Sequence, residues 1–289
     1  MNLDCETPEL AVQSLAAILQ IERAQLKTRI CSINRNDFQT NTCTTTDRRL
    51  PMLNAVAGRE VLDSATGKTC WFHATRTNNL SSFRKGIMPL PTNVDRIWDM
   101  LHMLVTDCTT PGGWDEFRRE TVARNYGHAE MVIEAWMSDE GPYAFLFSES
   151  ALNPNVVGNH DFFSTSELID WIAVYFERRF RVSLRDRHHA ATRPAFIKFW
   201  TPGIKATHLG AAVDYLVHRH LGWSLSCVDP CFSAEGEQIE PEQVIKAVPV
   251  LERIRRFQKH PIYSLSPMTA HVPLLGSSGT TAIHEKQKL

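Results

Sequence analysis

The spacing of apolar residues divides the chain into a helical beginning, a middle in which strands and helices alternate, and a polar end. Thr7-Pro8-Glu9 is a helix start, with Thr7 as N-cap and Pro8 at the first helical position. Leu10, Leu15, Ile18, Leu19, Leu26 and Ile30 then recur near helical spacing and predict one amphipathic helix to about Ile30. Residues 34–46 are polar and irregular, and Arg59-Glu60-Val61-Leu62 followed by Ser64-Ala65-Thr66-Gly67 reads as a short strand and a turn. A short helix is expected over residues 78–85, stopped by Gly86. Residues 94–105, with Ile97, Trp98, Leu101, Met103 and Leu104, fit a buried helix. Pro111-Gly112-Gly113 reads as a turn before a helix over 117–137, with Val122, Met131, Val132 and Trp136 as core contacts.

Gly141-Pro142 breaks that helix, and residues 143–147 form a compact apolar run with strand character. Residues 166–179 predict a helix with Leu168, Ile169, Ile172, Ala173 and Phe176 on one face. Residues 195–200 predict a strand closed by Pro202-Gly203, and 211–221 a helix. The last strand-like positions fall in 238–245 and 248–251, and the tail after Ser264 reads as poorly ordered. Strands and helices mix without any GxGxxG or GxxxxGK[ST] loop, so the fold class expected is α+β rather than a Rossmann or P-loop fold. Three parts follow: a helical and loop extension over 1–66, a core over 67–263 and a flexible tail over 264–289.

Composition narrows this picture. In 289 residues, 43% are hydrophobic and 22% charged, as in ordinary globular proteins. A formal net charge of -1 speaks against a surface devoted to nucleic acid or membrane. No apolar run approaches the ~20 residues of a membrane span. The acidic N-terminus lacks a secretory pattern, and seven scattered cysteines read as reduced thiols of a cytoplasmic protein. Cys227 and Cys231 are the only close pair and lack a second pair at zinc spacing. The histidines at 188, 189, 208, 218 and 220 recur without carboxylates or cysteines at ligand spacing, so no metal is expected. No G-x-S-x-G elbow supports a serine nucleophile.

One stretch points to a chemistry. Residues 70–90 read CWFHATRTNNLSSFRKGIMPL: an apolar run, then His73-Ala74-Thr75-Arg76, then a short helix ending in Gly86-Ile87. This resembles the opening motif of the ADP-ribosyltransferase superfamily in its His-Tyr-Glu branch, the branch of poly-ADP-ribose polymerases and diphtheria toxin. The resemblance implies a split mixed β-sheet core and NAD as substrate. His73 would contact a ribose, and the backbone of Ala74, where the family usually has Gly, would hold the nicotinamide amide. Thr75 and Arg76 would shape the pocket, with Arg76 able to reach the pyrophosphate. The family's tyrosine, which stacks on nicotinamide, falls on Tyr143 in Gly141-Pro142-Tyr143-Ala144-Phe145. An alternative is that Tyr143 is a strand-end aromatic.

The family's glutamate stabilises the charge that develops as nicotinamide leaves. It falls on Glu237 in the run 232–244, with Glu235 second and Glu167 third. Phe162-Phe163-Ser164-Thr165-Ser166-Glu167 resembles the Ser-Thr-Ser motif of the other branch. Its plainer reading is a helix cap by Ser164 or Thr165, with Glu167 beside the helix's positive end. The most basic segment, 178–198, carries Arg178, Arg179, Arg181, Arg185, Arg187, Arg193 and Lys198 against Asp186 alone. It reads as a phosphate or nucleic-acid surface, or as a solvated helix end.

The function implied is ADP-ribosyl transfer from NAD to a macromolecular acceptor, protein or nucleic acid, with release of nicotinamide. An intracellular toxin or defence effector, with an inhibitory partner protein and no membrane partner, is the family setting. Three alternatives stay open: an NAD glycohydrolase, an RNA 2'-phosphotransferase-like enzyme, and a non-catalytic binding module of the same fold.

Overall fold

A computed structural model describes residues 1–33, 45–123, 141–152, 160–223, 225 and 230–250. The chain runs β1 (Asn2–Leu3), α1 (Pro8–Leu19), α2 (Arg23–Cys31), α3 (Thr45–Ala57) and β2 (Ser64–Thr77). A 3-10 turn (Leu80–Lys85), α4 (Leu90–Met103), α5 (Pro111–Ala123), β3 (Tyr143–Phe145) and α6 (Ser148–Leu152) follow. Then come α7 (Glu167–Phe180), α8 (Leu184–Ala191), β4 (Arg193–Ile204), α9 (Ala206–Leu221), β5 (Cys231–Ser233), a second 3-10 turn (Pro241–Gln243) and β6 (Val244–Pro249). The fold is α+β, as the sequence pattern predicts.

The strands form one open sheet in the order β5-β3-β2-β4-β6, every neighbouring pair antiparallel. β1 adds a short parallel pairing to β2, Asn2 opposite Lys68 and Leu3 opposite Thr69. The long β2–β4 ladder sets the two faces, because residues directly opposite share a face and neighbours alternate. Trp71 opposite Phe199 and His73 opposite Ile197 lie on one face; Phe72 opposite Lys198 and Ala74 opposite Phe196 lie on the other.

The Trp71 face is covered by α1, α2, α3 and α9, whose Leu15, Leu26, Leu53 and Val213 join Leu3, Trp71, Ile197 and Phe199 in one buried cluster. Residues before 67 therefore share their core with the strands that follow. The Phe72 face carries a smaller cluster of Phe72, Ala74, Phe145, Ala151, Phe196 and Val250. A third cluster joins α4, α5, α7 and α8 through Trp98, Leu101, Trp114, Phe117, Ile172 and Phe176. Each fully buried Leu or Phe side chain contributes roughly 1.5–3 kcal/mol before the entropy of ordering it is set against that gain.

Several local expectations hold. Thr7 Oγ1 accepts from the Leu10 amide at 3.2 Å, and Pro8 opens α1. All five residues named for one face of α7 are buried. Asn79 caps the first 3-10 turn by accepting from the Ser81 amide at 3.0 Å, and Gly86 ends it.

Others need correction. The helix expected to run to Ile30 is two helices, because Gln20 turns left-handed (φ 59°) and its amide bonds back to the Ala16 carbonyl. Residues 59–62 form no strand. Ser64–Gly67, expected as a turn, belongs to β2, where a register shift between Ser64 and Lys68 absorbs Gly67 at φ 108°. β4 does not stop at Trp200. Pro202 pairs with Lys68 at an end where β4 has β2 alone as neighbour, a place that tolerates a residue without an amide hydrogen.

Pro111-Gly112-Gly113 is the first turn of α5, with Thr110 Oγ1 accepting from the Gly113 amide at 3.1 Å. The buried stripe of α5 is Trp114, Phe117 and Thr121, and Val122 is 51% exposed. Met103 is likewise 72% exposed at the end of α4. The cap of α7 is Ser166, not Ser164 or Thr165: its hydroxyl accepts from the Ile169 amide at 3.4 Å. Of the last strand-like run, residues 241–243 form a 3-10 turn and β6 begins at Val244. Met131, Val132, Trp136, Leu251, Cys227 and the tail after Ser264 lie outside the described residues.

Candidate functional site

His73 sits half-buried on β2. Its Nδ1–H donates to the Tyr143 carbonyl at 2.7 Å, an assignment that follows from the acceptor being a carbonyl. Burial lowers its pKa below the ordinary histidine value, against a smaller opposing effect of that hydrogen bond. The ring is thus neutral near neutral pH, with the Nε2 lone pair able to accept from a hydroxyl.

The Tyr143 side chain goes elsewhere. Phe145 lies opposite Phe72, so alternation along β3 puts Tyr143 and Phe145 on the Phe72 face, opposite the His73 imidazole. Tyr143 is 37% exposed. What β3 supplies to His73 is its backbone.

β2 and β3 pair at one register, Phe72 with Phe145, and beyond it the ladder of β2 is with β4. Ala74 is buried opposite Phe196, and Thr75 is half-buried opposite Ala195. Arg76 is engaged on every side. Its Nε donates to Thr192 Oγ1 at 3.0 Å and its Nη1 to the Phe163 carbonyl at 2.7 Å. Its Nη2 donates to the His189 and Thr192 carbonyls at 3.2 and 3.0 Å. Burial lowers its pKa, with Asp161 acting the other way. In this arrangement Arg76 pins the end of β2 to the residues around α8, and four of its five donor hydrogens are taken by protein oxygens.

Glu237 and Glu235 follow β5. Ser233 pairs with Tyr143, and the Ala234 amide donates to the Pro142 carbonyl at 3.2 Å. A turn then forms, with Glu235 at φ 51°, Gly236 at φ 84° and the Glu237 amide bonded to the Ala234 carbonyl at 2.9 Å. Both carboxylates are exposed. Two residues later Ile239 meets Ile87 in an antiparallel bridge, with amide–carbonyl bonds of 2.9 and 3.0 Å.

Gly86 makes that bridge possible. It lies at φ 91°, and a Cβ there would stand 2.2 Å from the Ile239 carbonyl oxygen. The segments carrying His73, Tyr143 and Glu237 are therefore neighbours: β2, β3 and β5 are adjacent strands, and residues 86–87 close onto 239. Two strand spacings separate β2 from β5, about 10 Å. Glu167 is distant in kind: it is the exposed first residue of α7, behind the Ser166 cap.

The basic segment is largely neutralised from outside itself. Arg179 pairs with Glu116 and Glu120 at 2.6 Å each, Arg185 with Asp170 and Arg187 with Asp107. Lys198 is buried and bonds Asp4 and Glu6, the latter at 2.9 Å, while Lys246 adds 2.7 Å to Glu6. Burial works to lower the Lys198 pKa, but the two carboxylates prevail and raise it. The same burial, with Asp4 adding to it, pushes the neighbouring Cys70 thiol up to about 11.

This Lys198 cluster was not anticipated, although a lysine within the apolar run 195–200 is a signal for a buried, paired charge. His188 was also not anticipated as a core residue. It is buried, its Nδ1 has no hydrogen-bond partner among the described residues, and its pKa falls to about 4 through burial, then Arg76 and His189. Among the described residues, no group of three or more His, Cys, Asp or Glu side chains gathers as metal ligands. No helix among them is long and apolar enough to cross a membrane.

Comparison of the chain with protein-family models, curated proteins and solved structures finds no match.

Proposed function

We propose that this chain is an NAD-dependent ADP-ribosyltransferase of the His-Tyr-Glu type, acting on a macromolecular acceptor. The observation that carries the reading is the adjacency of β2, β3 and β5, which brings together three sequence segments chosen for their likeness to that family's motifs. The parting of β2 from β3 after Phe72 suits a split sheet into which a nicotinamide can enter.

His73, held by the Tyr143 carbonyl, accepts a ribose hydroxyl through Nε2. Glu237, with Glu235 as the alternative, supplies negative charge near the anomeric carbon as the bond to nicotinamide breaks. The acceptor's nucleophilic atom then bonds that carbon, and its proton passes to the carboxylate or to solvent. Because Arg76 is committed to protein carbonyls, the pyrophosphate contact falls to other donors.

A second reading, an NAD-binding module without turnover, is favoured by the Tyr143 ring lying on the opposite face from His73. Incubation with NAD labelled in the adenylate, in whole-cell extract, separates these readings. Transfer gives label in the protein or nucleic-acid fraction with one nicotinamide released per label. Hydrolysis gives free ADP-ribose, and a binding module gives NAD binding alone.

A further inference from the structure

The described thiols fall into two groups. Cys5 and Cys70 are buried, and Cys108 is half-buried with its thiol donating to the Val105 carbonyl at 3.3 Å. Cys31 and Cys231 are exposed. Cys31, the last residue of α2, lies 3.6 Å from Nδ1 of His220 in the last turn of α9, and both side chains face solvent. The pair is held in register by the packing beneath it. Leu26 and Ile30 of α2 and Val213 and Val217 of α9 belong to one buried cluster, so the helix ends cannot drift apart without opening the core. Lys27, one helical turn before Cys31, adds a cationic side chain on that side of α2, and Arg219 precedes His220.

We propose that Cys31 and His220 form a thiol–imidazole pair that is a site of covalent modification by small disulfides of the glutathione type. The thiol proton passes to His220 Nδ1, and the Cys31 sulfur attacks one sulfur of the disulfide. The S–S bond of the reagent breaks as the Cys31–S bond forms, and the departing thiolate takes a proton from the imidazolium. Cys31 is oxidised to a mixed disulfide, and half of the reagent is reduced to its thiol. No residue of the His73 corner takes part, so the inference stands whether or not NAD is turned over.

The test is exposure of the full chain to glutathione disulfide at neutral pH, with acid quenching and peptide mapping of all seven cysteines. Cys31 is expected to be modified first, at least about fivefold faster than Cys231, because His220 Nδ1 stands where it can take the thiol proton as the sulfur attacks. His220→Gln should slow Cys31 by a similar factor and leave Cys231 unchanged. Cys31→Ser should remove the fast phase altogether. If His220→Gln instead loosens the fold, buried Cys5 and Cys70 react faster, the opposite sign, and the loss of the fast phase in Cys31→Ser still decides. First modification at Cys43, Cys227 or Cys231, or a fast phase that survives Cys31→Ser, overturns the proposal.

Discussion

His73 and Lys198 lie on adjacent strands, β2 and β4, but on opposite faces of the sheet, and their surroundings differ in kind. Lys198 is buried and meets two carboxylates from the segment between β1 and α1, with Lys246 sharing one of them. Arg76, on the same face, has its guanidinium caged by carbonyls. Polar groups there are matched by partners from within the chain, which is how a fold secures charge it has removed from water. At His73 one hydrogen bond fixes the ring through Nδ1 and Nε2 is left as an acceptor, while Glu235 and Glu237, in the turn after β5, are exposed. At Lys198 and Arg76 the chain's own partners close the site; at His73, on the face that also carries the largest buried cluster, one ring nitrogen is left to accept from a ligand.

The largest effect should come from the Lys198 side. Lys198→Ala leaves Asp4 and Glu6 facing each other without their buried cation, and should lower unfolding stability by about 3–4 kcal/mol in urea titrations. Adding Asp4→Asn and Glu6→Gln should restore much of that loss. Gly86→Ala comes next. The added Cβ runs into the Ile239 carbonyl, and the substitution should cost about 3 kcal/mol and speed exchange of the Ile87 and Ile239 amides.

Acid provides a third test. His188 is neutral in the fold down to about pH 4, whereas in the unfolded chain it takes up a proton near 6.5. The unfolded state therefore binds more protons between these values. The stability His188 contributes is fully present above about 6.5 and is lost as pH falls toward 4, on the order of 3 kcal/mol in all. His188→Leu should flatten that part of the pH profile. His73→Gln should have the smallest effect on stability, below about 1 kcal/mol, because it removes one hydrogen bond at a half-buried position. A loss as large as that of Lys198→Ala would erase the contrast between the two sites.

Much of this arrangement was legible in the sequence where the signal is local. Thr7-Pro8 announced α1, five periodic apolar residues announced the buried face of α7, and the segment from His73 to Gly86 announced a strand, a short helix, found as a 3-10 turn, and a stop. What was not legible depends on partners far along the chain. The extension of β4 through Pro202 depends on β2 opposite it. The neutralisation of Arg179, Arg185 and Arg187 depends on acids from α5, α7 and the residues after α4. The pairing of Lys198 depends on residues near the N-terminus, and the side of β3 that Tyr143 faces depends on a register set by Phe72 and Phe145. Periodicity reports which face of an element is apolar, not which distant group meets it.

The central claim is that the His73 corner binds NAD and breaks its bond to nicotinamide. The most direct measurement is nicotinamide release from NAD by the full chain in cell extract, compared with His73→Gln and Glu237→Gln, both checked for unchanged melting. Release by the native chain should fall at least about a hundredfold in each variant, the scale of losing one group that stabilises developing charge. Equal release from all three proteins, or none from the native chain together with no NAD binding, would contradict the account.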